Sequence, residues 1–196
     1  MFGKILIANR GEIALRILRA CRDLGIKTVV AHSEADRDAR FLKLADQRVC
    51  VGPAPASLSY LNAAAILSAA IVSDAEAIHP GYGFLSGNAD FAARVEAAGL
   101  AFIGPRPETL RLLNDRIQLR QMMKAAGIPC LPGSDAPLSE DPKEPLRIAK
   151  KLGYPMVVRA RGLDGERGMR VVHTEAALQS AVAQARSEVL AAGGRP

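Results

Sequence analysis

The stretch Lys4 to His32 constrains the fold more than any other part of the chain. Lys4 to Asn9 is a short apolar run of strand composition. After Arg10-Gly11 the apolar residues Ile13, Ala14, Ile17, Leu18, Cys21 and Leu24 recur every three or four positions, which makes one face of a helix. Gly25 supplies a residue free to take positive φ where that helix must end, and Ile26 to His32 returns to β-branched strand composition. Strand, helix, strand is thus written once in about thirty residues, a connection long enough for the crossover that parallel strands need.

The unit then repeats in weaker form. Arg40 to Ala45 reads as a short helix, Arg48 to Gly52 as a strand, Asn62 to Val72 as a helix and Ala75 to His79 as a strand. Asn88 caps a helix to Ala98 that Gly99 closes, and Leu100 to Gly104 reads as a further strand. Four or five short buried strands separated by helices predict a parallel sheet covered on both faces over residues 1–112.

The pattern turns helical from Pro105 to Ala126, with Leu110, Leu113, Ile117, Leu119 and Met122 as candidate core positions. Residues 113–130 read as a helical connector, and a proline-rich loop follows. A smaller cycle occupies 131–196: helix Leu146 to Leu152, strand Pro155 to Ala160, a glycine-bearing loop Arg161 to Gly168, strand Met169 to His173 and helix Glu175 to Leu190. That is the size of a lid rather than an independent core.

Composition removes several classes of function. The longest apolar run, Asn62 to Val72, is about half the ~18–20 residues of a membrane span. The start MFGKILIANRGE has no cleavable signal pattern, so a cytoplasmic protein away from membranes is expected. The three cysteines, Cys21, Cys50 and Cys130, are far apart and never in a C-x-x-C spacing, which argues against a disulfide framework or a zinc site. The 26 basic against 20 acidic residues give +6, but the cations are scattered and aromatics are only 4%, so nucleic acid is not an expected partner.

Three segments bear on chemistry. The turn Asn9-Arg10-Gly11-Glu12 opens a helix but has one glycine where a dinucleotide fingerprint needs three, so it reads as a tight turn with Glu12 well placed near the helix dipole. His79-Pro-Gly-Tyr-Gly-Phe-Leu-Ser86 follows a strand and precedes a helix, at the sheet edge where α/β proteins bind ligands. His79 alone reads as a structural histidine; the octapeptide is the more specific signal. In Pro155 to Arg170 a strand ends in the cation Arg159, followed by glycines at 162, 165 and 168 and a second strand. Such a hairpin either closes over a polyphosphate or is an ordinary exposed hairpin.

Taken together, ILIANRGEIALRILRACRDLGIKTV, VCVGPAPASLSYLN, AIHPGYGFLSGNADFA, FIGPRPETLRLLNDR, MKAAGIPCLPGSD, IAKKLGYPMVVRARG and GERGMRVV resemble the biotin carboxylases, members of the ATP-grasp proteins. The resemblance runs collinearly from Lys4 to about Glu188. It implies a Rossmann-like parallel-sheet α/β domain that precedes the ATP-grasp fold, followed by a small α+β lid. It also implies ATP- and bicarbonate-dependent carboxylation of biotin on a carrier protein, in carboxylases of the acetyl-CoA or acyl-CoA type that serve fatty acid biosynthesis. By the same resemblance Arg116, Arg159, Gly165, Glu166 and Met169 fall at nucleotide-binding positions. Arg16, Arg19 and Asp23 fall on a dimer interface, formed with a second copy or with a full-length carboxylase. Residues for magnesium, bicarbonate and biotin belong to a C-terminal domain to which nothing in these 196 residues corresponds, so no catalytic or metal-binding residue is assigned.

Four departures from the family pattern stand out. The family has lysines where this chain has Arg116 and Arg159, and arginine's planar fork does not replace a compact ammonium at a tight phosphate site. It has an almost unbroken glycine run where this chain has Gly162-Leu-Asp-Gly-Glu166, and glutamate where this chain has Gly87. A carboxylate 4 Å from a phosphate opposes it by about 4 kcal/mol at an effective dielectric of ~20, before screening. Two readings follow: part of a biotin carboxylase with weak or lost ATP binding that is not self-sufficient, or an inactive truncated relative that works as a dimerisation module.

Overall fold

A computed structural model describes residues 1–160 and 168–191. They form two compact units, Met1–Leu113 and the chain from Asn114 onward.

In the first unit β1 (Lys4–Ile7), α1 (Gly11–Asp23), β2 (Lys27–Ser33), β3 (Gln47–Gly52), α2 (Ala63–Val72), β4 (Ala77–His79), α3 (Ala89–Ala97), β5 (Ala101–Phe102) and α4 (Pro107–Asn114) follow in chain order. The strands make one parallel sheet in the order β3-β2-β1-β4-β5. This is the expected α/β architecture. The strand order reverses between β1 and β4, and a crevice opens beyond the carboxyl ends of strands at such a point.

The first strand is the central one, and its side chains alternate between two cores. Ile5 and Ile7 pack with Ala14, Ile17, Leu18 and Cys21 of α1, while Leu6 and Ala8 face Ile66, Ala69, Phe91 and Val95 of α2 and α3. The six-position stripe of α1 therefore did its job in four places: Ala14, Ile17, Leu18 and Cys21 are buried, whereas Leu24 is exposed. Gly25, at φ +70°, ends the helix: Ile26 N–H donates to Cys21 and Gly25 N–H to Arg22, which satisfies two carbonyls the helix leaves open.

Several boundaries differ from the sequence reading. Arg40–Leu44 is a 3-10 helix, and β5 has only two residues. The helical stretch from Pro105 is two helices, because Asp115 accepts from the N–H groups of Ile117 and Gln118 and so starts α5 (Arg116–Ala125) anew. The proposed core of this stretch is also corrected. Leu110 is buried, but Leu113 and Met122 are 44% and 43% exposed, and α5 buries no residue. Its anchoring is polar: Arg120 donates to the Ser134 carbonyl, Gln121 to the Asp135 carbonyl, and Lys124 pairs with the Asp135 carboxylate at 2.7 Å.

The second unit continues with α6 (Glu144–Leu152), β6 (Met156–Arg159), β7 (Met169–Val172) and α7 (Glu175–Ala191). β6 and β7 pair antiparallel, with Val157 opposite Val171 and Arg159 opposite Met169. Strand alternation sends Met156, Val158 and Val172 toward Ala149, Leu178, Ala181 and Val182 of the two helices, and leaves Val157 and Val171 exposed on the other face.

Candidate functional site

A cleft of roughly 280 Å³ lies beyond the carboxyl ends of β1 and β4, lined by Asn9, Arg10, Gly11, Glu12, Tyr82 and Phe84 among others. It unites the two sequence segments that flank the switch point of the sheet. The Asn9 side chain, almost fully buried, joins them: its Nδ2 donates to the carbonyls of Pro80 at 2.7 Å and Tyr82 at 2.8 Å, while its Oδ1 accepts from Arg10 N–H. Across the mouth the Tyr82 hydroxyl donates to Glu12, and this bond holds the Glu12 carboxyl below its usual range. His79 Nδ1 accepts from Gly81 N–H at 3.1 Å, and burial pushes the imidazole pKa down, so the ring serves the turn as a neutral acceptor.

Arg10 makes a two-pronged contact with Asp36, Nε to Oδ2 at 2.7 Å and Nη2 to Oδ1 at 2.5 Å. Asp36 also accepts from the Tyr60 hydroxyl at 2.5 Å, and Arg10 first, then Tyr60, keeps its carboxyl pKa low against the opposing effect of burial. The Tyr60 ring in turn stacks on Phe84, with centroids 5.1 Å apart. Neither Asp36 nor Tyr60 stood out in the sequence. Asp36 is one of several charges in Ser33 to Arg40, and its partners lie 24 and 26 residues away.

The residues singled out in the sequence fall in separate places. Arg16, Arg19 and Asp23 are exposed on α1, on the side away from its buried stripe. Arg159 closes β6, with Met169 directly opposite in register. Arg116 opens α5 and is exposed; its charge reaches Arg159, whose guanidinium pKa is lowered first by burial and then by this neighbour. Gly165 and Glu166, with the rest of the loop 161–167, lie outside the described residues. Gly87 borders open space, since a Cβ there would meet nothing within 4 Å. Among the described residues no three metal-ligating side chains gather, and no helix is long and apolar enough to cross a membrane.

The chain is similar to known proteins over nearly its whole length. Residues 1–110 match the family model "Biotin carboxylase, N-terminal domain", and residues 115–196 match "Carbamoyl-phosphate synthase L chain, ATP binding domain". A biotin carboxylase of Allochromatium vinosum is 62% identical over 192 residues, 98% of this chain and 43% of that protein. The Campylobacter jejuni biotin carboxylase, solved as a beta-gamma-ATP complex, superposes with a TM-score of 0.91 at 45% identity, over 98% of this chain and 43% of that one. The biotin carboxylase domain dimer of Hydrogenobacter thermophilus 2-oxoglutarate carboxylase, solved with MgADP, ADP and bicarbonate, gives 0.90 at 44% identity, over 100% and 43%. The chain thus spans less than half the length of these relatives.

Proposed function

We propose, since the chain belongs to the biotin carboxylase family, that it provides the N-terminal α/β domain and the nucleotide lid for ATP- and bicarbonate-dependent carboxylation of carrier-bound biotin. The observation that carries this reading is the 62% identity to a biotin carboxylase over 192 residues, 98% of the chain, which takes in both units. Turnover requires the part of the relatives that these 196 residues do not span, together with its magnesium and biotin ligands. Mixing the chain with the C-terminal portion of a biotin carboxylase is expected to give bicarbonate-dependent ATP hydrolysis. Absence of turnover from a well-folded mixture would overturn the reading.

Within it, Arg116, Arg159, Gly165, Glu166 and Met169 are the nucleotide-binding positions, and binding by the chain alone is weak. Arginine's planar fork stands at 116 and 159 where the family has compact lysine ammoniums, and the carboxylates that the lid sequence carries would oppose phosphate. A ligand at 100 times its Kd stabilises a fold by about 2.7 kcal/mol. Little thermal shift is therefore expected at millimolar Mg-ATP, and a larger one after Arg116→Lys with Arg159→Lys.

Exposure of Arg16, Arg19 and Asp23 on one side of α1 favours a second role, pairing with another copy or with a full-length carboxylase. Sedimentation of the chain should show a dimer that Arg19→Glu abolishes; a monomer at all concentrations, with no carboxylase bound, would count against it. The working compartment in this reading is the cytoplasm, and the carrier protein is the partner that presents biotin.

A further inference from the structure

We propose that Asp36 and Tyr60 are positioning residues that fix the two walls of the cleft as one unit, Asp36 holding the Arg10 wall and Tyr60 the Phe84 wall. Arg10 and Phe84 both line the cleft, yet they come from loops more than seventy residues apart in sequence. Two features of this pair need an explanation, and both lead to the same hub.

The first is Phe84 itself. Its φ of +42° lies in the left-handed region, which a bulky side chain avoids, and such a conformation persists only where the surroundings over-determine it. The Tyr60 ring lies against Phe84 with the planes 19° from parallel. The Tyr60 ring cannot shift freely, because its hydroxyl is committed on both sides. It accepts from Ser33 N–H at 3.0 Å and donates its one proton to Asp36. Tyr60 is 2% exposed, so water does not compete for that proton.

The second is a buried carboxylate with every neighbour a donor. Asp36 receives Nε and Nη2 of Arg10, Oη of Tyr60 and, more distantly at 3.5 Å, Oγ of Ser33. Both oxygens are engaged, so the carboxylate has one orientation that satisfies all partners. Rotating it to follow Arg10 would break the bond to Tyr60, and the reverse holds. The guanidinium at one wall is thus linked through two side chains to the strained residue at the other, and whatever enters the cleft meets a preset width. This inference stands apart from the reaction proposed above, because its readouts come from the free chain.

The test is heteronuclear NMR of the full chain carrying Asp36→Asn or Tyr60→Phe. Asp36→Asn should shift the amide signals of residues 83–86 and speed exchange of the Ser86 N–H, which donates to the Gly83 carbonyl, by about tenfold relative to the β1 amides. Tyr60→Phe keeps the ring and removes the hydroxyl, and should shift the Arg10 Nε signal. A merely stabilising pair would lower the melting temperature without moving signals across the cleft. Unchanged signals at 83–86 in folded Asp36→Asn overturn the proposal. Should that variant fail to fold, an unchanged Arg10 Nε signal in Tyr60→Phe overturns it instead.

Discussion

Asn9 and Gly81 approach so closely that a Cβ on Gly81 would sit 2.7 Å from Asn9 Nδ2. That contact is where the loop after β1 is joined to the loop after β4. Gly81 also holds φ +66°, so a side chain there meets strain in the backbone as well as in space. Gly81→Ala is expected to cost about 1–3 kcal/mol, read from the midpoint of urea unfolding at unchanged slope.

The same junction should be sensitive from its other side. Asn9→Ala removes the donor to two carbonyls in a buried place and should cost on the order of 1–3 kcal/mol. Asn9→Asp should cost more, because a carboxylate oxygen would then face the carbonyls of Pro80 and Tyr82. Comparing the two variants by urea unfolding separates loss of a bond from active repulsion.

Asp36 gives the fold a dependence on acid. Its carboxyl pKa is lower folded than unfolded, because Arg10 and Tyr60 donate to the charged form. The stability it contributes is therefore complete above the unfolded value, near 3.9. It disappears as pH falls through the still lower folded value. Asp46, held low by the N–H and hydroxyl of Thr28, acts in the same direction. Melting temperatures between pH 7 and pH 2 should fall less steeply for Asp36→Asn, from a lower start, than for the native chain.

Adjacent residues of β7 should behave in opposite ways. Val172 is 1% exposed among the α6 and α7 side chains, so Val172→Ala is expected to cost ~2 kcal/mol for two buried methyl groups. Val171 points to the other face and is 60% exposed, so Val171→Thr should change stability by no more than about 0.5 kcal/mol. A large effect of the second substitution would show that this face is covered in solution.

What could be read from the sequence was local. The helix of α1, the Asn88 cap and the glycine that ends α1 each depend on residues within one or two turns, and each is found where the pattern put it; Asn62, read as the first residue of α2, is instead its cap. The break at Asp115 was hidden, because both flanks have helical composition and an aspartate inside such a run reads as surface until its carboxylate is seen on the Ile117 and Gln118 N–H groups. The core assigned to α5 failed for a related reason: periodic apolar residues are buried only if something apolar faces them, and here polar contacts to Ser134 and Asp135 do the anchoring. In the cleft, the two flanking loops were legible as motifs. Asp36 and Tyr60 were not, since their roles arise only when β2 and the following segments are brought beside β1.

The position of β1 at the middle of the sheet has a consequence for how the chain acquires its structure. β1 is flanked by β2 on one side and, on the other, by β4, whose pairing joins Ile5 to Ala77 and Ile7 to His79. Closing a loop of that length costs entropy before any contact rewards it, and topologies rich in such pairings fold slowly. A chain emerging from the ribosome holds Leu6 and Ala8 without their α2 partners until residue 69, and without their α3 partners until residue 95, has been synthesised. Substitutions that weaken β1–β4 pairing should thus slow refolding more than equally destabilising losses confined to the local contacts of α1 with β2.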